Sequence, residues 1–222
     1  MKLDPVSLSE AARYMGVRGE ADEKIHSLLK RAESLVIDNL SPKYVYRETS
    51  VDVSEDCVRL GCMDTPLTGN DIRAHLSGCD KAVLLAVTLS PEADKLIRRY
   101  SVTDMAFSLA LDCVCSAAVE QVCDRAEEEI FSRISAPYRT WRFSPGYGDL
   151  PLGIQGDFLR ALNAQRRIGL TATENSLLIP SKSVTAVIGL SDKPLNKGGK
   201  GCGICNMRES CAYRKSGRSC TG

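Results

Sequence analysis

The sequence predicts an α+β fold: a largely antiparallel, twisted sheet packed with helices, one of them long and central (about 103–134). Three observations predict it. Segments with helical spacing and segments of β-branched and aromatic residues alternate without a regular strand–helix–strand rhythm. Several strand-like runs are followed by connections of hairpin length, too short for a parallel crossover. From Thr103 to Ile134 a single helical pattern persists, and its first half, MAFSLALDCVCSAAVEQV, is almost wholly apolar and belongs in a core.

The elements follow in order. SLSEAARYMG carries serines at its start and Gly16 at its end, as a short helix requires. Between Glu20 and Leu40 the residues Ile25, Leu28, Leu29, Ala32, Leu35, Val36 and Leu40 keep helical spacing, and Pro42 follows the stop. KYVYRETSVDV reads as a strand and CVRLG as its short neighbour. TGNDIRAHLSG is a brief helix and KAVLLAVTL a buried strand. SPEADKLIRRYS opens a helix with Ser90 at the cap and Pro91 in the first turn. After the long helix come a strand, YRTWRF, a helix, LGIQGDFLRALNAQRRIG, and a last strand, KSVTAVIGL.

Composition bounds the function. Of 222 residues 43% are hydrophobic, enough for a substantial core, and a net charge of +1 leaves no electrostatic footprint for nucleic acid. No apolar run is expected to span a bilayer, and the N-terminus, MKLDPVSLSEAARYMG, has acids where a signal peptide needs an apolar stretch. A cytoplasmic protein without nucleic-acid or membrane partners is expected. The organisation read from the sequence is N-terminal helices over 1–40, a main domain over 41–194 and a cysteine-rich tail over 195–222, where aliphatic residues almost vanish. His26 and His75 have no catalytic partner in view, so both are expected to be structural or solvated, and Ser-His-Asp chemistry has no support.

The least ordinary stretch is RFSPGYGDLPLG, residues 142–153. Its glycines have the wrong spacing for a dinucleotide fingerprint, and no Gly-Lys-Ser/Thr follows for a P-loop. Pro145 and Gly146 favour a type II turn with glycine at positive φ. Arg139 and Arg142 flank Trp141, and bare backbone at Gly146 and Gly148 lets a ligand approach. A guanidinium fork recognises a carboxylate, and exposed N–H and C=O groups suit a nucleoside. The corner therefore suits an amino-acid-plus-nucleoside ligand better than a polyphosphate.

RFSPGYGDLP resembles the R-x-x-P-G-Y motif of the activation (reactivation) domain of cobalamin-dependent methionine synthase, which binds S-adenosylmethionine. The resemblance extends through GLTATENSLLIPSKSVTAVIG, with Thr173, Glu174, Pro180, Ser183 and Val184 in register, and upstream to the family's small stand-alone forms. It implies that Arg142 holds the ligand's carboxylate, that Ser144 and Gly146 offer backbone contacts, that Tyr147 closes the turn and that Glu120 faces the ligand's ammonium. A glutamate in an apolar helix needs a cation or a proton, which the ligand or a core arginine such as Arg98 or Arg99 can supply. The sequence departs from the family in GDLPLG and at Lys193-Pro194, where a Cys-Pro segment and a His-Pro are expected.

The resemblance implies an accessory protein for reductive methylation of cob(II)alamin, in methionine synthase or a related corrinoid methyltransferase. Its partners are a cobalamin-binding protein and a reductant protein. The chain has no D-x-H-x-x-G cobalamin signature, so cobalamin belongs on the partner. The second reading is an iron–sulfur electron carrier. The tail gives C-x2-C-x5-C at Cys202, Cys205 and Cys211, with Cys220 beyond, and zinc, an iron–sulfur cluster, redox thiols or a disordered tail all remain open. The other six cysteines, Cys57, Cys62, Cys79, Cys113, Cys115 and Cys123, are expected as small buried hydrophobes.

Overall fold

The computed structural model describes residues 1–195 and Glu209. The described residues divide into two compact units, the first made of 1–45, 86–134 and 163–184, the second of 46–85, 135–162 and 185–195.

The first unit is mainly helical. Helix α1 (Leu8–Tyr14) starts at Ser7, whose hydroxyl accepts the Glu10 N–H, and α2 (Glu23–Asn39) starts at Asp22, whose carboxylate accepts the Ile25 N–H. The long helix α5 (Met105–Phe131) is capped by Asp104 on the Phe107 N–H. Helices α1, α2 and α4 (Pro91–Ser101) all pack on α5. Fourteen of its residues, among them Phe107, Leu111, Val114 and Val122, are buried, which gives a moderate stripe little meaning and makes α5 a core helix. By length and composition α5 does reach what a membrane crossing needs, contrary to the expectation that no run would; but 67% of its most apolar window is buried within the protein.

Polar pins tie the remaining segments of this unit to its helices. The Glu33 carboxylate, on a 2% exposed residue of α2, accepts the Val6 N–H at 2.8 Å and pairs with Lys30. Beyond the two-stranded pair β6 (Thr171–Ala172) and β7 (Leu178–Ile179), Lys182 reaches Asp112 and Ser116 of α5 at 2.9 Å each, and the Asp94 carboxylate accepts the Ser181 N–H.

The sheet has six antiparallel strands in the order β3-β2-β1-β4-β8-β5 and belongs mostly to the second unit. They are β1 (Lys43–Val53), β2 (Cys57–Leu60), β3 (Leu67–Thr68), β4 (Lys81–Thr88), β5 (Tyr138–Arg139) and β8 (Ser183–Ser191). In register, Val51, Asp52 and Val53 face Leu60, Arg59 and Val58. The central strands β4 and β8 are buried along nearly their whole length, as their largely apolar sequences require. Helix α3 (Asn70–Leu76) packs on β2 and β3. The run expected as one helix over 152–169 is instead a 3-10 turn (Leu152–Ile154), α6 (Gln155–Leu162) and α7 (Ala164–Ile168), broken where Asn163 takes the left-handed conformation with φ 51°. Asparagine tolerates that region because its short amide can hydrogen-bond locally.

Of the six cysteines expected as buried hydrophobes, Cys79, Cys113, Cys115 and Cys123 are buried, whereas Cys57 and Cys62 are partly exposed. Burial pushes the Cys79 and Cys113 thiols up to about 11 and Cys115 to about 12, so they are inert as nucleophiles.

Glu33→Ala leaves the Val6 N–H without its acceptor and is expected to cost about 2 kcal/mol, while Glu33→Gln, which keeps an acceptor, costs less. Urea-unfolding midpoints of the two variants check the order.

Candidate functional site

The residues singled out from the sequence fall into two places, each described within its own unit. Arg142, Ser144, Gly146 and Tyr147 share one loop of the second unit, and Glu120 lies on α5 of the first. The four tail cysteines, Cys202, Cys205, Cys211 and Cys220, lie outside the described residues. Among the described residues no group of three or more His, Cys, Asp and Glu is placed to hold a metal ion.

The loop grows out of an interrupted edge. The expected strand YRTWRF forms a ladder only at Tyr138 and Arg139, which face Ser191 and Leu190 of β8. Thr140 then donates its N–H to Gly189 and accepts the Gly189 N–H on its hydroxyl at 2.8 Å. Phe143 makes an isolated bridge, exchanging both backbone hydrogen bonds with Val187 at 3.0 and 2.8 Å. Arg142 therefore sits between two tied backbone positions, partly exposed.

After Phe143 the chain turns. The Tyr147 N–H donates to the Ser144 carbonyl at 3.0 Å, with Pro145 at the second position and Gly146 at the third. Gly146 has φ 85°, a value that favours glycine, so the expected positive-φ turn is formed. Pro145 is buried and Gly146 exposed, which leaves the bare backbone of Gly146 facing solvent. The Gly146 N–H reaches the Leu150 carbonyl at 2.9 Å and the Leu150 N–H the Tyr147 carbonyl at 3.1 Å, which closes the loop on itself.

Two anchors that spacing arguments did not find hold this loop to α3. Asp149 turns its carboxylate onto the start of the helix, accepting the Asn70 N–H and, at 3.0 Å, the Asp71 N–H. At the other end His75 lies under the aromatic residues of the loop. Its ring centroid is 4.7 Å from that of Trp141 and 4.8 Å from that of Phe143, and its Nε2 meets the Thr140 hydroxyl at 2.8 Å. Tyr147 joins the cluster edge-on, 5.4 Å from Trp141 and 5.5 Å from Phe143. His75 is thus structural, one of the two roles expected for it, and His26 is exposed.

Burial lowers the His75 imidazole from its ordinary 6.5 to about 4, against a smaller opposing hydrogen bond with the Trp141 backbone. The imidazole under the loop is neutral at physiological pH.

In the first unit, Glu120 sits half-buried on α5 rather than sealed in the core. It is close enough to Tyr14, the last residue of α1, to help raise the phenol, though burial is the larger cause and Arg13 opposes it. The Arg13 guanidinium lies 4.9 Å from the Tyr14 ring centroid, and Tyr14 is 42% exposed, so this carboxylate neighbourhood opens to solvent. Tyr14 escapes sequence reasoning because α1 and Glu120 are far apart in the chain and no local spacing joins them. Arg98 and Arg99, the alternative partners for Glu120, are exposed on α4.

Because the folded His75 titrates near 4 and the unfolded one near 6.5, the unfolded chain binds the extra proton first as pH falls. Stability from this group is full above 6.5 and is lost progressively towards pH 4, by about 3 kcal/mol. His75→Gln is expected to flatten that part of the curve, measured as unfolding free energy against pH for both proteins.

No protein-family model matches the chain, and no curated protein matches it. Among solved structures it is similar to the crystal structure of the MetH reactivation domain bound to AdoHcy, with a TM-score of 0.64 and 13% identity over 84% of this chain and 76% of that one. At that identity the likeness is one of fold. The architecture built above, a six-stranded antiparallel sheet with one long core helix, is the fold of the MetH reactivation domain.

Proposed function

We propose that this protein binds S-adenosylmethionine and supports the reductive methylation of cob(II)alamin in cobalamin-dependent methionine synthase or a related corrinoid methyltransferase. The observation that supports the reading is the loop. The residues Arg142–Tyr147 read R-x-x-P-G-Y and form an anchored positive-φ turn, on the fold of a reactivation domain whose crystal structure holds AdoHcy.

The chemistry of the donor set fits such a ligand. A carboxylate end calls for a guanidinium, the role proposed for Arg142; an ammonium end calls for an anion, the role that the sequence resemblance gives Glu120. The Gly146 N–H is held by the Leu150 carbonyl, so the backbone contacts to the nucleoside fall to carbonyl oxygens of Ser144 and Gly146, with Tyr147 closing the turn beside them. S-adenosylmethionine brings a sulfonium methyl, which the reduced cobalt of a partner protein accepts. The task left to this chain is to hold and orient that donor, and no general acid, base or covalent nucleophile is needed. The partners in this reading are a cobalamin-binding protein and a reductant protein. Zinc or an iron–sulfur cluster on Cys202, Cys205, Cys211 and Cys220 remains a separate proposal, decided by metal analysis of the purified protein.

Calorimetric titration with S-adenosylmethionine tests the reading, and absence of binding by the native protein overturns it. Arg142→Ala is expected to weaken binding by roughly 2–4 kcal/mol, because it leaves the ligand carboxylate without its fork. Glu120→Gln keeps the fold and weakens binding less; global unfolding of that variant would instead assign Glu120 to the core.

A further inference from the structure

We propose that Asp149 is a positioning residue for the ligand-holding loop, acting through α3 on the backbone that carries Arg142, Ser144 and Gly146. The claim deepens the functional reading above and rests on it for its ligand. Its structural half stands on the geometry alone.

Between the Phe143 bridge and α6 the loop has no strand ladder. The backbone bonds from Tyr147 to Ser144, Gly146 to Leu150 and Leu150 to Tyr147 are internal to it. Internal bonds set a loop's shape but leave its orientation on the scaffold undetermined. Orientation needs ties to another element, and α3 supplies them at both ends. At its first turn are the two amides held by Asp149, and at its last turn is His75 with Thr140, Trp141 and Phe143.

The tie at Asp149 has a feature that a simple helix cap would not need. Most helices take the cap from the residue just before them, as α2 and α5 do with Asp22 and Asp104. Helix α3 has Gly69 at that place, with φ 130° and no side chain to offer, and it draws its cap from a residue 79 positions later. The glycine is what admits it: a Cβ at Gly69 would collide with the Asp149 carboxylate. Gly148 similarly lies against the Asp71 carboxylate, where a Cβ would collide with it. A serine or aspartate before the helix, on extended backbone, is the ordinary way to cap it, and neither fits at 69 beside Asp149. The distant cap adds something a local one cannot, a fixed orientation of the loop relative to α3. Asp149 is engaged with the α3 amides, so it acts on a ligand only through the loop that carries it.

Trp141, the single tryptophan of the chain, sits in the loop and reports on it directly. Asp149→Ala is expected to shift Trp141 emission in the free protein and to weaken S-adenosylmethionine about fivefold, the effect of losing one cap. Asp149→Asn, which still caps, restores both. Asp22→Ala removes a cap of the other unit and serves as the control for stability alone; it leaves both readouts unchanged. An Asp149→Ala protein whose emission and affinity match the native protein, or move no more than those of Asp22→Ala, overturns the proposal. Should Asp149→Ala fail to fold, Asp149→Glu, which keeps the charge but lengthens the arm, is read by the same criteria. If the native protein binds no S-adenosylmethionine, the functional reading fails separately, and Trp141 emission alone then decides whether Asp149 sets the loop.

Discussion

Helix α5 has to be covered almost all round, and the first unit is organised by that demand. Its apolar first half offers no single stripe to bury, so α1, α2 and α4 each take a share of its surface. The segment before α1 is drawn in as well, with Gln121 donating to the Pro5 carbonyl and Arg125 holding the Lys2 carbonyl and Asp4. A charge on such a helix survives only where the cover is thin. Asp112 is neutralised by Lys182, and Glu120 lies half-buried beside Tyr14. The position of Glu120 is therefore a consequence of how the helix is packed. A carboxylate at a sealed position such as 118 would have required a buried partner or a proton.

The loop of the second unit solves a different problem. It leaves the backbone of Gly146 exposed without letting the chain wander. Regular pairing would cover such backbone, and a free loop would cost more conformational entropy to order. The compromise is intermittent attachment. Residues 138–143 touch β8 at Tyr138, Arg139, Thr140 and Phe143, the turn is fixed by Pro145 and Gly146, and α3 receives the far end through Asp149. Neutral His75 fits this arrangement because a charged ring beneath Trp141 and Phe143 would have to be desolvated at a cost that its burial already registers.

What was legible in the sequence was whatever local pattern dictates. The 11-residue β1 and the buried β4 and β8 follow from alternation and from continuous apolar runs. The long helix was read as 103–134 and runs over Met105–Phe131, a difference of a frayed turn. The turn at Pro145-Gly146 was readable because few residue pairs tolerate that backbone. Of the two-residue strands, β3, β6 and β7 have no period to detect, while β5 is the paired part of the longer run YRTWRF. The break at Asn163 was hidden inside a run whose apolar spacing continued through it. The remaining omissions share one cause. Asp149 on α3, His75 under Trp141 and Tyr14 near Glu120 are contacts between residues distant in sequence, which no spacing rule encodes.

That division bears on how a fold can be kept at 13% identity. A turn built from proline, glycine and exposed backbone places few demands on side chains, and most of those demands concern conformation. Proline and glycine at the turn satisfy them here, and a guanidinium cannot be exchanged for an ammonium without losing the fork. The supporting contacts are less constrained. A helix can be capped by any acceptor that reaches its amides, from before it or from across the fold, but only a cap carried by the loop also ties that loop to the helix. In this chain it has come to rest on the loop itself, with Gly69 clearing the space. Sequence comparison follows side chains and loses such contacts early, while the backbone path stays recognisable as a fold.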